Sequence, residues 1–124
     1  MNYNTNLSIF IQIADRICDR VLSGEYLPDV RIPSVRELSV EMEVNPNTVM
    51  RSFEWLQKHE IIYNKRGLGY FVSSDARKKI SVTRHRTFVD EILPAVFKEM
   101  VLLNIGIDEL LNAYTNYLSI NKLS

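Results

Sequence analysis

The sequence predicts a mainly α-helical fold with one small β-hairpin, three helices ahead of the hairpin and a short helical tail behind it. Three observations predict it. Apolar residues recur at three- and four-residue spacing over most of the chain, the period of an amphipathic helix. Two helix starts, Ser34-Val35-Arg36-Glu37 and Asn45-Pro46, lie close together in the chain. From Ile61 the pattern turns strand-like, with two aromatic and β-branched runs around a turn containing two glycines.

The first helix runs from about Ser8 to Ser23. Phe10, Ile13, Ala14, Ile17 and Val21 form one stripe, and Asp15, Arg16, Asp19 and Arg20 form the polar face. Gly24 stands where a left-handed C-terminal cap belongs. Glu25 to Pro33 is a connector, because the residues before Pro28 and Pro33 are pushed toward extended backbone. At Ser34 a capping box opens the second helix: the Ser34 hydroxyl accepts the Glu37 N–H while the Glu37 carboxylate reaches back to the Ser34 N–H. Leu38 and Met42 form its apolar side, and it ends near Glu43.

Asn45 then caps the third helix, and Pro46 sits at its first position, where a missing N–H costs nothing. Val49, Phe53 and Leu56 give it an apolar side, with Trp55 close by, and Val44 lies in the turn before it. Two short helices joined this tightly make a helix-turn-helix. Ile61-Ile62-Tyr63 and Tyr70-Phe71-Val72 flank the turn Asn64 to Gly69, a hairpin that serves as a wing.

From about Asp75 the chain is helical again. Val89, Leu93, Val96, Met100 and Leu103 form a stripe that Ile92, Phe97 and Val101 widen, and Pro94 should kink or break it near Ile92. Asn104-Ile105-Gly106 ends the segment, and a last helix carries Leu110, Leu111, Tyr114, Tyr117 and Leu118 on one side. The domain boundary is therefore expected between residues 74 and 75, with the winged helix-turn-helix in 1–74 and a two-helix tail in 75–124. So broad an apolar stripe exceeds what a chain this small covers by itself, so Val89, Leu93, Val96, Met100, Leu110, Tyr114 and Leu118 are expected to meet a second copy.

Bulk properties narrow the function. With 124 residues there is room for one domain and a small appendage. No apolar run approaches the roughly 20 residues that span a bilayer, so no membrane partner is expected. Met1 to Asn6 lacks a basic start and an apolar core of the secretory kind, and the single cysteine, Cys18, has no partner for an internal disulfide. A reducing cytoplasm is the expected compartment. Net charge is zero, yet the charge is uneven. Between Arg31 and Arg86 bases outnumber acids, whereas beyond Arg86 only Lys98 and Lys122 face Asp90, Glu91, Glu99, Asp108 and Glu109. A basic middle suits contact with phosphate.

In a helix-turn-helix the second helix of the pair enters the major groove of double-stranded DNA, and residues near its N-terminus reach base edges. Asn45, Asn47, Thr48 and Arg51 occupy that end. Asn pairs bidentately with adenine and Arg with guanine, although Asn45 serves equally as a cap and Thr48 as a backbone partner. Arg36 lies in the first turn of its helix, where the dipole disfavours a cation, so an external anion is expected. Arg31 and Ser34 suit phosphate contact. Lys65 and Arg66, with Gly67 and Gly69, suit a hairpin tip lying along the minor groove, since glycine allows close approach and narrow grooves attract cations. Arg77-Lys78-Lys79, with Arg84 and Arg86, reaches flanking phosphates or forms a solvated face. The aromatics Phe53, Trp55, Tyr70 and Phe71 are assigned to the core.

Chemistry of other kinds has little support. His59 and His85 lack partners at metal-ligand spacing, no glycine loop cradles phosphate, and no nucleophile stands near a base. No cofactor is implied. The alternative is a winged helix used for protein–protein contact, with the same cations incidental.

Three stretches also resemble a known family. Arg31-Ile32-Pro33-Ser34-Val35-Arg36-Glu37-Leu38-Ser39 is similar to the basic-Leu-Pro-Ser-x-Arg-x-Leu-Ala segment of GntR-family winged-helix regulators. Val44-Asn45-Pro46-Asn47-Thr48-Val49 resembles the matching run of that family's YtrA-like subgroup, and Arg66-Gly67-Leu68-Gly69-Tyr70-Phe71-Val72 resembles its wing. The resemblance spans Phe10 to Val72. It implies a transcription regulator, a DNA contact for Arg36, and a short tail that serves dimerisation. It also implies control of a transporter operon; a twofold dimer would read a palindromic operator, and a repressor is the expected role, with activation left open by the sequence. Ile32 stands where the family prefers Leu, and Glu60 where it often has Gly, so a left-handed cap after the third helix is expected to be less comfortable. No effector pocket is legible in a two-helix tail, and a small-molecule effector stays open without an identity.

Overall fold

The computed structural model describes residues 8–121; Met1 to Asn6 and Lys122 lie outside the described residues. The chain forms two compact units, one ending at Thr83 and the other starting at Arg84. Mostly helical, with a two-stranded antiparallel hairpin, it has the winged-helix architecture expected from the sequence.

In the first unit α1 (Ile9–Leu22), α2 (Val35–Met42) and α3 (Pro46–Lys58) precede β1 (Ile62–Lys65) and β2 (Gly69–Val72). The predicted stripes point inward. Ile13, Ala14, Ile17 and Val21 of α1 meet Leu38 of α2 and Val49, Phe53 and Leu56 of α3 in one buried cluster. Each large side chain removed from water in this way contributes about 1.5–3 kcal/mol. Ala76 and Ile80, at the start of α4 (Ala76–Thr87), are buried in the same cluster. That is why the packed unit runs past residue 74 to Thr83.

Three segments of this unit end on left-handed residues: Gly24 at φ 86°, Glu43 at φ 55° and Glu60 at φ 60°. After α2 the Val44 N–H donates to the Ser39 carbonyl at 3.1 Å, closing the helix and turning the chain into α3. After α3 the Glu60 N–H donates to the Gln57 carbonyl and the Ile61 N–H to the Leu56 carbonyl, both at 2.9 Å. Glu60 thus takes the conformation that glycine would take more easily, and its carboxylate accepts from Lys79 Nζ at 3.2 Å. The buried Leu56 and Ile61 flank this cap and set where the wing begins.

The hairpin is longer and its turn shorter than the sequence implies. Lys65 pairs with Gly69, leaving only Arg66, Gly67 and Leu68 in the loop. Ile62 and Val72 are buried, and Tyr70 meets Phe53 edge-on at 4.7 Å. Tyr63 and Phe71 stack on the other side at 5.7 Å, so Phe71 is not a core residue as expected. The connector 28–32 adds an extended edge: Asp29 N–H donates to the Val72 carbonyl at 2.7 Å and Ile32 N–H to the Tyr70 carbonyl at 2.9 Å.

In the second unit the helix does not break at Pro94. Phe88–Ile92 is π-helical, and α5 (Leu93–Leu102) follows with Leu93 N–H bonded to the Phe88 carbonyl. Pro94 has no N–H for the Asp90 carbonyl and crowds it, and the widened register accommodates the ring. Asn104, at φ 57°, ends α5 through the Ile105 N–H to Met100 carbonyl bond at 2.8 Å, before α6 (Ile107–Asn121). The π-helical segment, α5 and α6 bury no residue.

Candidate nucleic-acid interface

The start of α2 is built as its four residues require. Ser34 N–H donates to Glu37 Oε1 at 2.9 Å, and Glu37 N–H donates to Ser34 Oγ at 3.1 Å. Hydrogen bonding to the carboxylate from the Ser34 backbone N–H first, and from the Ser34 side chain second, holds the Glu37 carboxyl below its usual range. Arg31 Nη2 lies 3.9 Å from Glu37, at the edge of this cap. Arg36 is exposed and its side chain makes no ion pair or hydrogen bond among the described residues.

At the start of α3 the Asn45 Oδ1 accepts the Asn47 N–H at 2.8 Å, so Asn45 acts as the cap. Asn47 and Arg51 are exposed and Thr48 is half-buried. The Arg51 guanidinium lies over the Phe10 ring, 4.3 Å from its centroid. Next in sequence, Ser52 is fully buried and its Oγ donates to the Phe10 carbonyl at 2.6 Å. Neither contact was foreseen. A serine three residues after Val49, on the buried stripe, was the only signal for the second.

The wing places its cations unequally. Lys65 Nζ sits 4.7 Å from the Phe71 ring centroid, held against the stacked aromatics, whereas Arg66 at the loop is exposed without a partner among the described residues. Gly67 is left-handed at φ 81°, with open space where a Cβ would go. Gly69 differs: at φ 112°, an added Cβ would lie 2.8 Å from Arg31 Nε. Arg31 therefore crosses the base of the wing through space that only glycine leaves.

Beyond the wing two cations of the basic run are committed to the fold. Arg77 Nη1 donates to the Leu22 carbonyl at 2.7 Å, satisfying the end of α1, and Lys79 bonds Glu60 and lies 3.4 Å from Asp75. Arg20, read from sequence as part of a polar face, instead ties three segments together. It bonds Glu41 of α2, donates to Tyr26 Oη at 2.8 Å and lies 3.9 Å from Glu25. Glu41 is held below its usual range by that hydrogen bond first, and burial pushes the Tyr26 hydroxyl up.

In the tail, Val89, Val96 and Tyr114 are exposed, while Leu93, Met100, Leu110 and Leu118 are half-buried. More exposed still are Val101 (80%), Leu102, Leu103, Ile107 and Ile120 (79%). Leu102, Ile107 and Ile120 fall outside the stripe drawn from spacing, because an unpaired helix surface exposes apolar residues on several sides. No helix among the described residues is long and apolar enough to cross a membrane.

This helix-turn-helix and wing coincide with a known sequence family: residues 11–72 match the bacterial regulatory proteins of the gntR family. The chain belongs to the GntR family. Its similarity to single members extends into the tail. It is 31% identical over 119 residues to the HTH-type transcriptional regulator YhcF of Bacillus subtilis, covering 93% of each chain. It is 29% identical to the HTH-type transcriptional repressor YtrA of the same organism, over 82% of this chain and 78% of that one. Among solved structures, a chain from Bacteroides thetaiotaomicron assigned to GntR-family regulators superposes with a TM-score of 0.79 at 46% identity, covering 92% of this chain and 99% of that one. The DNA-binding domain of AraR, solved in complex with operator ORR3, matches 59% of this chain and 88% of its own at 26% identity and a TM-score of 0.53. This GntR-family chain is thus a DNA-binding transcription regulator of the winged-helix kind.

Proposed function

We propose that this chain is a homodimeric repressor that binds a palindromic operator, with the winged helix-turn-helix on the DNA and the helical tail beyond Thr83 forming the dimer. The observation that carries the DNA contact is Arg36. It stands exposed in the first turn of α2, where the helix dipole disfavours it, and its side chain forms no ion pair among the described residues. A phosphate anion, or the acceptor atoms of a base edge, supplies the missing partner. In this arrangement α3 enters the major groove, Asn47 and Arg51 read base edges, Thr48 and Asn45 line the approach, and Arg31 and Ser34 hold phosphates. Arg66, with Lys65, Gly67 and Gly69, lies along the minor groove.

The dimer is supported by the tail. Its π-helical segment, α5 and α6 bury nothing, while Phe97, Val101, Leu103, Ile107 and Leu111 stand in solvent. A second copy covers that surface, with Val89, Leu93, Val96, Met100, Leu110, Tyr114 and Leu118 at its centre. Two copies place their α3 helices about 34 Å apart, one turn of DNA. Repression is supported by the name of the YtrA relative, and a transporter operon by the resemblance to its subgroup.

The test is selection of duplexes from a random pool, followed by gel shift and sedimentation. Expected are an inverted repeat and a dimer of about twice 14.4 kDa. Arg36→Ala should weaken binding about 10-fold or more if it meets a base, and lower the salt slope by about 0.9 if it meets a phosphate. Failure to enrich any sequence at low salt, or a monomer at micromolar concentration, would refute it.

A further inference from the structure

The geometry points to Phe10 as a positioning residue for DNA recognition, one that holds the guanidinium of Arg51 in the plane and direction a guanine edge requires. This rests on the assignment of Arg51 as a base reader. An arginine side chain has many rotamers, and holding one of them ready spares ordering on binding. Here Arg51 is exposed, and among the described residues no carboxylate pairs with it. What holds it is the Phe10 ring at 4.3 Å. A guanidinium carbon held over a ring is attracted through the ring face without using its N–H donors, so this contact and bidentate pairing to guanine can coexist. A carboxylate partner would instead occupy those donors and compete with the base.

Phe10 is itself held in place. The buried Ser52 hydroxyl donates to its backbone carbonyl at 2.6 Å, tying the start of α1 to the residue that follows Arg51. The support and the reader are thus joined by two short links, one through the ring and one through the backbone. Phe10 does not reach DNA in this arrangement; it acts through Arg51.

The experiment uses the full chain and a duplex selected from a random pool by the unaltered protein. Affinity is measured for that duplex and for single base-pair variants, with Arg51→Ala, Phe10→Leu, Phe10→Tyr and the double variant Phe10→Leu/Arg51→Ala. Expected is a base position at which Arg51→Ala relaxes discrimination. At that same position Phe10→Leu should cost about two- to fivefold in discrimination, and Phe10→Tyr should retain it. The double variant should discriminate no worse than Arg51→Ala alone. If Arg51→Ala relaxes no position, the assignment of Arg51 fails and the proposal fails with it. If Arg51→Ala relaxes one and Phe10→Leu does not, only the role of Phe10 is overturned. Equal weakening by Phe10→Leu on every duplex, or a further loss in the Arg51→Ala background, would show a purely structural role. Thermal unfolding of each variant keeps a folding defect separate, because Phe10→Tyr preserves both ring and packing.

Discussion

Replacing Gly69 with alanine tests the link between the wing and the connector before it. Two terms oppose the change. At φ 112° an L side chain is strained, at a cost of about 1–2 kcal/mol. The new Cβ would also lie 2.8 Å from Arg31 Nε, so something must move. The Arg31 side chain is 54% exposed and flexible, whereas the backbone beside it is fixed by the Ile32 N–H to Tyr70 carbonyl bond at 2.9 Å. The side chain therefore yields first. Stability should fall by about 1–2 kcal/mol, lowering the melting temperature by about 5–10 °C. If Arg31 holds a phosphate, the salt slope of DNA binding should fall by about 0.9, as for Arg31→Ala. Gly24→Ala provides the control: φ is 86° there and nothing lies within 4 Å of the added Cβ. It should lose similar stability with no change in salt slope. Two assays decide: thermal unfolding, and binding at several salt concentrations. Equal loss of DNA affinity in the Gly24 and Gly69 variants would refute the reasoning, and so would an unchanged salt slope in Gly69→Ala beside a reduced one in Arg31→Ala.

Three further outcomes follow from the packing. Phe53, fully buried and edge-on to Tyr70, should cost about 3–5 kcal/mol as Phe53→Ala, seen as a lower urea midpoint at unchanged slope. Glu43→Gly should raise stability by about 0.5–1 kcal/mol by relieving a left-handed backbone at φ 55°, while Glu60→Gly gains less because it gives up the bond from Lys79; paired melting curves measure both. Glu41 titrates below its ordinary value of 4.5 because Arg20 bonds it. Its stabilisation is therefore complete above that value and is lost as pH falls through the lower folded value. Glu41→Gln should flatten the acid limb of a stability-versus-pH curve, and an acid limb unchanged from the unaltered chain would sink that assignment.

Most of the fold was legible because its signals are local. The Ser34–Glu37 capping box, the Asn45-Pro46 helix start and the apolar stripes of α1 and α3 each involve residues a few positions apart, and each forms as read. The hairpin was legible in kind but not in extent, since strand pairing at Lys65 and Gly69 is settled by partners across the turn. Pro94 was read correctly as a disturbance, yet the response was a π-helical segment and not a break, because the helix on either side tolerates a widened register.

What the sequence determined by itself is the order of elements and the set of exposed polar residues near the helix-turn-helix. Periodicity and capping act over single turns and need no long-range partner. Only the tertiary structure decided which cations are spent on the fold. Arg20, Arg77 and Lys79 serve Glu41, Leu22 and Glu60, contacts that join residues 19 or more positions apart. Arg36 and Arg66 keep open donors among the described residues. Charge alone looks the same in both groups. A guanidinium is claimed by whichever carbonyl or carboxylate the folded backbone brings within hydrogen-bond reach, and that distance is written in three dimensions, not along the chain.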